Sequence, residues 1–260
     1  MAAVQGSIQV SAAPNVQYLL RIGDSALILA QRTCEWAGHA PVLEEDIALA
    51  NMALDLLGQA RALLTRAGQL EGSGYDEDQL AFLREARDYR NVTLVELPRG
   101  DFAMTQLRNV VMATFFKLLW QRLATSSDSE LAAIAGKAVK EARYHQQHAA
   151  DWVIRLAGGT DESRKRTECA LAELWRYTAE LFASDAVDNY AAEAQLGPRW
   201  GELREPWLHE MTQILDEAGL QPHADTPFLS TGKNGAHSEH MGLLLAEMQH
   251  LQRAYPGGVW

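Results

Sequence analysis

Cysteine is scarce in this 260-residue sequence, which contains only Cys34 and Cys169. Two cysteines cannot build a disulfide framework or a cysteine-based zinc site. They are typical of a protein that stays in a reducing compartment, and we therefore predict a cytoplasmic location.

Basic residues, secretion signals and membrane spans are also lacking. The 23 Lys and Arg residues are outnumbered by 34 Asp and Glu, which gives a net charge of −11. Such a surface repels phosphate backbones, so we predict no nucleic-acid partner.

The N-terminus has neither the basic segment nor the apolar segment of a secretory signal. The sequence also contains no run of about 18 apolar residues, the length that a membrane-spanning helix needs, so we predict no membrane contact.

Strand-like alternation is rare as well, and most apolar residues recur at helical spacing. Hydrophobic residues make up 47% of the chain, enough for a large core. The predicted long helices cover residues 15–36, 43–70, 102–124 and 129–156, with shorter ones at 77–87, 163–183, 202–218 and 238–253. Their lengths and loops predict an all-α, antiparallel four-helix bundle with additional C-terminal helices. We predict one domain over residues 15–260, preceded by a flexible tail of residues 1–14.

Polar residues follow one another along single faces of three of these helices. The lines are Asp24, Gln31 and Glu35 in the first helix, Asn51, Asp55 and Gln59 in the second, and Lys137, Glu141, His145 and His148 in the fourth. Each line alone is typical of a solvated face. Three lines in one bundle favour a shared buried polar network.

Di-iron carboxylate bundles have a network of this kind, in which one helix supplies a Glu and its neighbour a Glu-x-x-His, and a second helix pair repeats the set. The corresponding positions here are Glu35, Asp55, Gly58, Glu141, Tyr144 and His145. Gly58 and Tyr144 stand where histidines are required, and the third helix has no acidic residue. His145 is one residue out of register, which is about 100° of helix rotation. We therefore predict no metal site.

The carboxylates of Glu35, Asp55 and Glu141 would need positively charged partners if they met in the bundle without iron. Lys137, Lys140 and Arg61 lie in or beside the same helix segments and could be those partners. The hypothesis is that a salt-bridge network replaces the irons. The alternative is that these groups face solvent, where each pair contributes under about 1 kcal/mol. His145 and His148 are predicted to be a surface or interface pair.

Five sequence blocks resemble one family. They are residues 32–41 (RTCEWAGHAP), 46–61 (DIALANMALDLLGQAR), 137–145 (KAVKEARYH), 174–182 (LWRYTAELF) and 242–260 (GLLLAEMQHLQRAYPGGVW). In this order they resemble the PaaC family, the smaller ferritin-like subunits of bacterial phenylacetyl-CoA 1,2-epoxidase. The resemblance extends from residue 17 to the C-terminus.

The resemblance implies a ferritin-like fold and a structural, non-catalytic subunit of a hetero-oligomeric monooxygenase. That complex inserts one oxygen atom of O₂ into the aromatic ring of phenylacetyl-CoA. The implied partners are a larger PaaA-like subunit that carries the di-iron centre, a small bridging PaaB-like subunit and a PaaE-like reductase. The reductase is expected to use FAD, an iron–sulfur cluster and NADPH, and the present chain is expected to hold no catalytic or cofactor-binding residue.

Two other functions stay open on the residues alone. The chain could be a free-standing helical protein that binds an acyl or aryl group in its bundle. It could also be an oxygenase with the unusual ligands Glu35, Asp55, Glu141 and His145, although the third helix supplies no carboxylate. A loop at residues 231–240 suggests a phosphate cradle but lacks the P-loop pattern. It is predicted to be an ordered turn, with Ser238 as the N-cap of the last helix.

Overall fold

The computed structural model describes residues 7–224 and 226–258, which are α-helical apart from short 3₁₀ turns and loops. The helices are α1 (Pro14–Cys34), α2 (Leu43–Glu71), α3 (Glu77–Phe82), α4 (Thr93–Glu96), α5 (Phe102–Leu123), α6 (Ser129–Ala157), α7 (Asp161–Trp175), α8 (Ala179–Phe182), α9 (Ala186–Glu193), α10 (Arg204–Glu217), α11 (Glu239–Met248) and α12 (His250–Ala254). Extended pairing in these residues is limited to one bridge between Thr231 and Ala236. The all-α prediction is confirmed.

The four long helices α1, α2, α5 and α6 form the predicted antiparallel bundle. Helix α1 packs along α2, and α5 along α6. The two pairs meet where Asp55 of α2 contacts His145 of α6, and where Trp36, just after α1, donates a hydrogen bond to Thr105 of α5. Local signals set the ends of these helices. The Asp101 and Asp128 side chains cap α5 and α6, and α2 ends before Gly72, whose φ is +90°.

Helix α5 is the centre of the core, as its all-round hydrophobicity predicts. Phe115, Phe116 and Trp120 are at most 2% exposed. Helix α6 covers one side of α5, and α7 and α10 cover others. The helices that follow the bundle are therefore part of its packing, because they bury the faces of α5 that a bare four-helix bundle would leave open.

Several C-terminal boundaries differ from the prediction. The helix predicted at 163–183 is divided into α7 and α8, because the chain turns after Trp175 and the Thr178 hydroxyl bonds to the Trp175 carbonyl. The short helices α4 and α9 were not predicted, since four to eight residues are too few for a periodic pattern. Ser238 does occupy the N-cap position of α11, but its hydroxyl makes no cap hydrogen bond.

The segment before α1 lies along the bundle from residue 7 onward. The Ile8 amide donates to the Leu83 carbonyl, and the Ser11 amide donates to the Glu71 carboxylate. Residues 1–6 of the predicted flexible tail lie outside the described residues. The division into a flexible tail and a single domain over residues 15–260 stays a prediction.

Helix α2 has an apolar character that the sequence analysis did not detect. Its most apolar 18-residue window has a mean hydropathy of 1.3, enough by length and composition for a membrane span, and 44% of that window is buried in the fold. A core helix of a bundle satisfies the same criterion, and α2 packs against α1 and α6. What distinguishes α2 is that apolar residues occur on its outer face as well as on its inner face.

Candidate functional site

Glu35 lies at the end of α1, where arginines surround it. Its carboxylate is 2.6 Å from Arg32 Nη1, and its backbone carbonyl accepts a hydrogen bond from Arg99. The Glu35 side chain is 34% exposed. This carboxylate is therefore neutralised within its own helix turn and is not a ligand projecting into the bundle.

The two α2 positions that we compared with Glu-x-x-His face outward. The Asp55 side chain is 39% exposed, and its Oδ2 is 3.1 Å from His145 Nε2. Gly58 lies on the surface, with open space where a Cβ atom would be. Leu56 and Gln59 are the buried residues at this level. The register that we inferred for this helix is therefore wrong, and a histidine at position 58 would point into solvent.

On α6, Glu141 and Tyr144 occupy the rim of the groove between α2 and α6. Glu141 accepts a hydrogen bond from Gln59 Nε2 at 2.9 Å and lies 3.3 Å from Lys137 Nζ. The Lys137 side chain is 79% exposed, and Tyr144 is 54% exposed. Water therefore screens the Lys137–Glu141 pair, which cannot replace a buried metal centre.

The other two proposed compensating cations are also on the surface. Lys140 is exposed on α6, and Arg61 pairs with Glu77 at 3.0 Å with its own side chain 77% exposed. The structure thus brings together Asp55 with His145 and Glu141 with Lys137, while Glu35 has separate partners. The hypothesis of a salt-bridge network with buried cations is therefore contradicted, because Lys137, Lys140 and Arg61 are all exposed, as the alternative of solvent-facing groups has it.

The two α6 histidines are more buried than predicted. The His145 side chain is 4% exposed, and burial lowers its pKa against the attraction of Asp55. His148 Nε2 lies 3.0 Å from Glu45 Oε2, with both side chains 12% exposed. Of the surface or interface positions predicted for this pair, the surface position is wrong for His145, which bonds to Asp55 at the α2–α6 seam.

Helix α5 supplies two buried amides and no carboxylate. Gln106 and Asn109 lie one helical turn apart, close to the Trp36–Thr105 contact that places them beside the end of α1. They are 0% and 3% exposed, and their side-chain amide atoms have no hydrogen-bond partner among the described residues. A neutral amide is a weak ligand for iron and cannot bridge two metal ions as a carboxylate does.

These residues do not fit a di-iron centre. In residues 7–224 and 226–258, His, Cys, Asp and Glu side chains form no group of three or more that could hold a metal ion. The candidate carboxylates Glu35 and Asp55 are each engaged at a partly exposed edge. No oxygenase step can therefore be derived from the side chains of the described residues.

The buried charges lie elsewhere, in clusters that the sequence analysis did not identify. Asp24 of α1 is paired with Arg84 at 2.5 Å, with both side chains 0% exposed. Asp24 also accepts a hydrogen bond from the backbone amide of Arg90. Asp24 belongs to a predicted polar line, but its partner comes from a non-helical turn 60 residues later, and no spacing rule connects the two.

A second buried cluster joins α1 to α9. Arg21 donates to Asp185 at 2.9 and 2.5 Å and lies 3.5 Å from Asp188. Lys233 Nζ is 3.9 Å from Asp188 and 4.8 Å from the centre of the Trp200 ring. Burial raises the pKa of Asp188 and lowers that of Lys233, while their mutual attraction opposes both shifts. This cluster fastens the C-terminal loop to the bundle.

The loop at residues 231–240, which suggested a phosphate cradle, is bonded to carboxylates of this chain. Glu180 of α8 accepts hydrogen bonds from the Lys233 amide and the Ser230 hydroxyl. Glu96 of α4 accepts from the Ser238 amide at 2.5 Å and lies 2.7 Å from His237 Nδ1. Since these donors are used internally, the loop has an architectural role.

These features define a class, the ferritin-like all-α bundles, in a form whose described residues contain no group of three or more candidate metal ligands. The chain belongs to the family of phenylacetic acid catabolic proteins (PaaA/PaaC), whose family model matches residues 1–260. It is 47% identical over 243 residues to a 1,2-phenylacetyl-CoA epoxidase subunit from Escherichia coli (strain K12), the one designated C, with 94% of this chain and 98% of that protein covered. The resemblance seen in the sequence is thereby confirmed, and with it a role in phenylacetate catabolism.

Proposed function

We propose that this chain is the non-catalytic, supporting subunit of a monooxygenase that epoxidises the ring of phenylacetyl-CoA. The observation that supports the proposal most directly is that the described residues contain no group of three or more His, Cys, Asp or Glu side chains that could hold a metal ion. Helix α5 buries the amides Gln106 and Asn109 and carries no carboxylate, and Gly58 and Tyr144 lie on the surface.

The cofactors and partners follow from the relationship to the epoxidase subunit. We infer that the di-iron centre lies in a larger PaaA-like subunit, which binds this chain in a hetero-oligomer. A PaaB-like bridging subunit and a PaaE-like reductase with FAD, an iron–sulfur cluster and NADPH complete the proposed complex. The net charge of −11 argues against a nucleic-acid partner, and the complex is expected in the cytoplasm.

A free-standing acyl- or aryl-binding function has less support. A groove of about 510 Å³ between α6 and α10 is lined by charged and amide side chains, among them Lys117, Gln146 and Glu210. The Lys117 ammonium donates to both Gln146 and Glu210. An apolar acyl chain would strand these polar groups, so this groove is unsuited to such a ligand.

The test is metal content and turnover of the chain alone and of the complex. The chain should be purified by itself, then with a larger family member that carries the complete Glu/Glu-x-x-His set, and that larger subunit should be purified alone as the control. We expect well below one iron per chain in the isolated protein and about two irons per heterodimer. Two irons bound by the isolated chain, or phenylacetyl-CoA epoxidation without the larger subunit, would refute the proposal.

A further inference from the structure

An apolar stripe runs along the outer face of α2. Leu43, Ile47 and Leu54 are 70%, 53% and 63% exposed, and their spacing of four and seven residues aligns them on one side of the helix. Tyr144 of α6, 54% exposed, lies across the groove, because it shares a helix face with Glu141 and His148, which contact Gln59 and Glu45 of α2. Large exposed apolar side chains that form a contiguous set indicate a contact surface, whereas single ones do not.

Gly58 continues this stripe one turn beyond Leu54. Glycine is the least favourable helix-interior residue after proline, and close packing is one reason for which a helix keeps one. Gly68 on the same helix has this reason, since a Cβ atom there would lie 2.1 Å from the Tyr75 carbonyl oxygen. At Gly58 no described atom lies within 4 Å of the Cβ position. Gly58 therefore leaves the α2 backbone open to close approach from outside, as Gly136 does on α6, where the Cβ position is equally free.

The flank of the stripe on α6 is positively charged, although the chain as a whole carries −11. Lys137, Lys140 and Arg143 are all exposed there. Of these, Lys137 is paired with Glu141, while Lys140 and Arg143 take part in no ion pair with the described residues. A partner with acidic side chains beside an apolar stripe would complement this surface.

We propose that the α2 outer face, defined as Leu43, Ile47, Leu54, Gly58 and Tyr144, docks a helix of the larger di-iron subunit. The docking helix presents an apolar stripe to α2, brings its backbone close to Gly58 and places acidic side chains opposite Lys140 and Arg143. This inference rests on the proposed function and goes further, because it names the surface and the chemistry of its occupant. A second copy of this chain is a poorer occupant, since it would bring the same cationic flank.

The proposal can be tested with two interface variants and one control. Leu54→Glu places a carboxylate in the apolar stripe and toward an acidic partner. Gly58→Gln fills the space needed for close approach and at the same time favours the helix. Leu243→Glu is the matched control, because Leu243 is 71% exposed on α11, outside this face. The affinity of each variant for the larger subunit is measured by biolayer interferometry, and its melting temperature and oligomeric state are measured alone.

We expect Leu54→Glu and Gly58→Gln each to raise the Kd by roughly tenfold or more, with Leu243→Glu unchanged. Gly58→Gln alone should melt at or above the wild-type temperature, which separates lost binding from lost folding. Wild-type affinity in both interface variants would refute the docking face and leave the proposed function intact. A wild-type homodimer that Leu54→Glu dissociates would assign the face to self-association instead. No binding by the wild-type chain would overturn the proposed function as well.

Discussion

The most informative perturbation of the fold is removal of one charge from the Asp24–Arg84 pair. Both side chains are 0% exposed, and Arg84 donates to both Asp24 carboxylate oxygens, at 2.9 and 2.5 Å. The Arg84 guanidinium also lies 4.2 Å from the centre of the Tyr89 ring. The backbone amide of Arg90 donates to Asp24 as well. Asp24→Asn would therefore leave a buried guanidinium without its counter-charge while the size of the residue is preserved.

The expected loss is large because the remaining cation cannot reach water. Breaking a buried pair by removing one partner costs about 3–5 kcal/mol. Against a total stability of ~5–15 kcal/mol this is a substantial fraction. For a chain of this size it corresponds to a fall of roughly 6–20 °C in Tm. Arg84→Met should be costly for the same reason, since it leaves the Asp24 carboxylate buried.

The assay is a double-mutant cycle followed by urea unfolding. The double variant Asp24→Asn/Arg84→Met should be less destabilised than the sum of the single variants, because neither charge is then stranded. Arg61→Met is the control, since the exposed Arg61–Glu77 pair should contribute under about 1 kcal/mol. The claim is that this buried pair holds the turn at Arg84 against α1. It would be refuted if the effects of the two single variants were additive, or if Asp24→Asn lowered the free energy of unfolding no more than Arg61→Met does.

Three further predictions concern the α2–α6 rim, the C-terminal loop and helix packing. Glu141→Ala should lower the free energy of unfolding by only about 1 kcal/mol, because water screens its lysine partner; a loss above ~3 kcal/mol in urea unfolding would restore the buried-network hypothesis. Burial opposes the charge on His237, but the hydrogen bond and charge of Glu96 outweigh it and raise the His237 pKa above 6.5. The stability that this pair contributes should be complete below pH 6.5 and be lost as the pH rises through the raised pKa. The measurement is urea unfolding from pH 5.5 to 9, in which His237→Gln should lack this loss. A pH profile of the variant that matches the wild type would contradict the assignment. Gly68→Ala would place its Cβ 2.1 Å from the Tyr75 carbonyl oxygen and should lower stability by about 1–3 kcal/mol. An unchanged Tm would show that α2 and the turn before α3 are not in close contact there.

The sequence predicted the long helices well, for reasons that are local. The apolar periodicity and the flanking glycine and aspartate residues place the ends of α1, α2, α5 and α6 within two residues of the structure. These signals act within a few residues along the chain, and tertiary packing does not override them in helices of this length. The same signals fail for α4 and α9, which are held mainly by contacts with distant residues such as His237 and Arg21.

The helix spacing also showed which residues share a face, but it could not show which face is inside. On α2 both faces are apolar, so the spacing did not show that Asn51 and Gly58 are exposed, that Asp55 lies at the edge of the α2–α6 seam and that Gln59 is buried. On α6 the opposite occurred, because His145, predicted at the surface or at an interface, is buried against α2. Orientation depends on what packs against the helix, and a periodic pattern does not contain that information when apolar residues occur on both sides.

The sequence by itself determined the helical architecture, the lack of acidic residues on α5 and, through near full-length similarity, the family. Only the tertiary structure decided which charges are buried and with which partners, as at Asp24 and Arg84. It also decided that the outer face of α2 carries exposed leucines beside a bare glycine. The physical reason is that helix formation depends on neighbours along the chain, whereas burial and charge pairing depend on segments that meet only after the chain has folded.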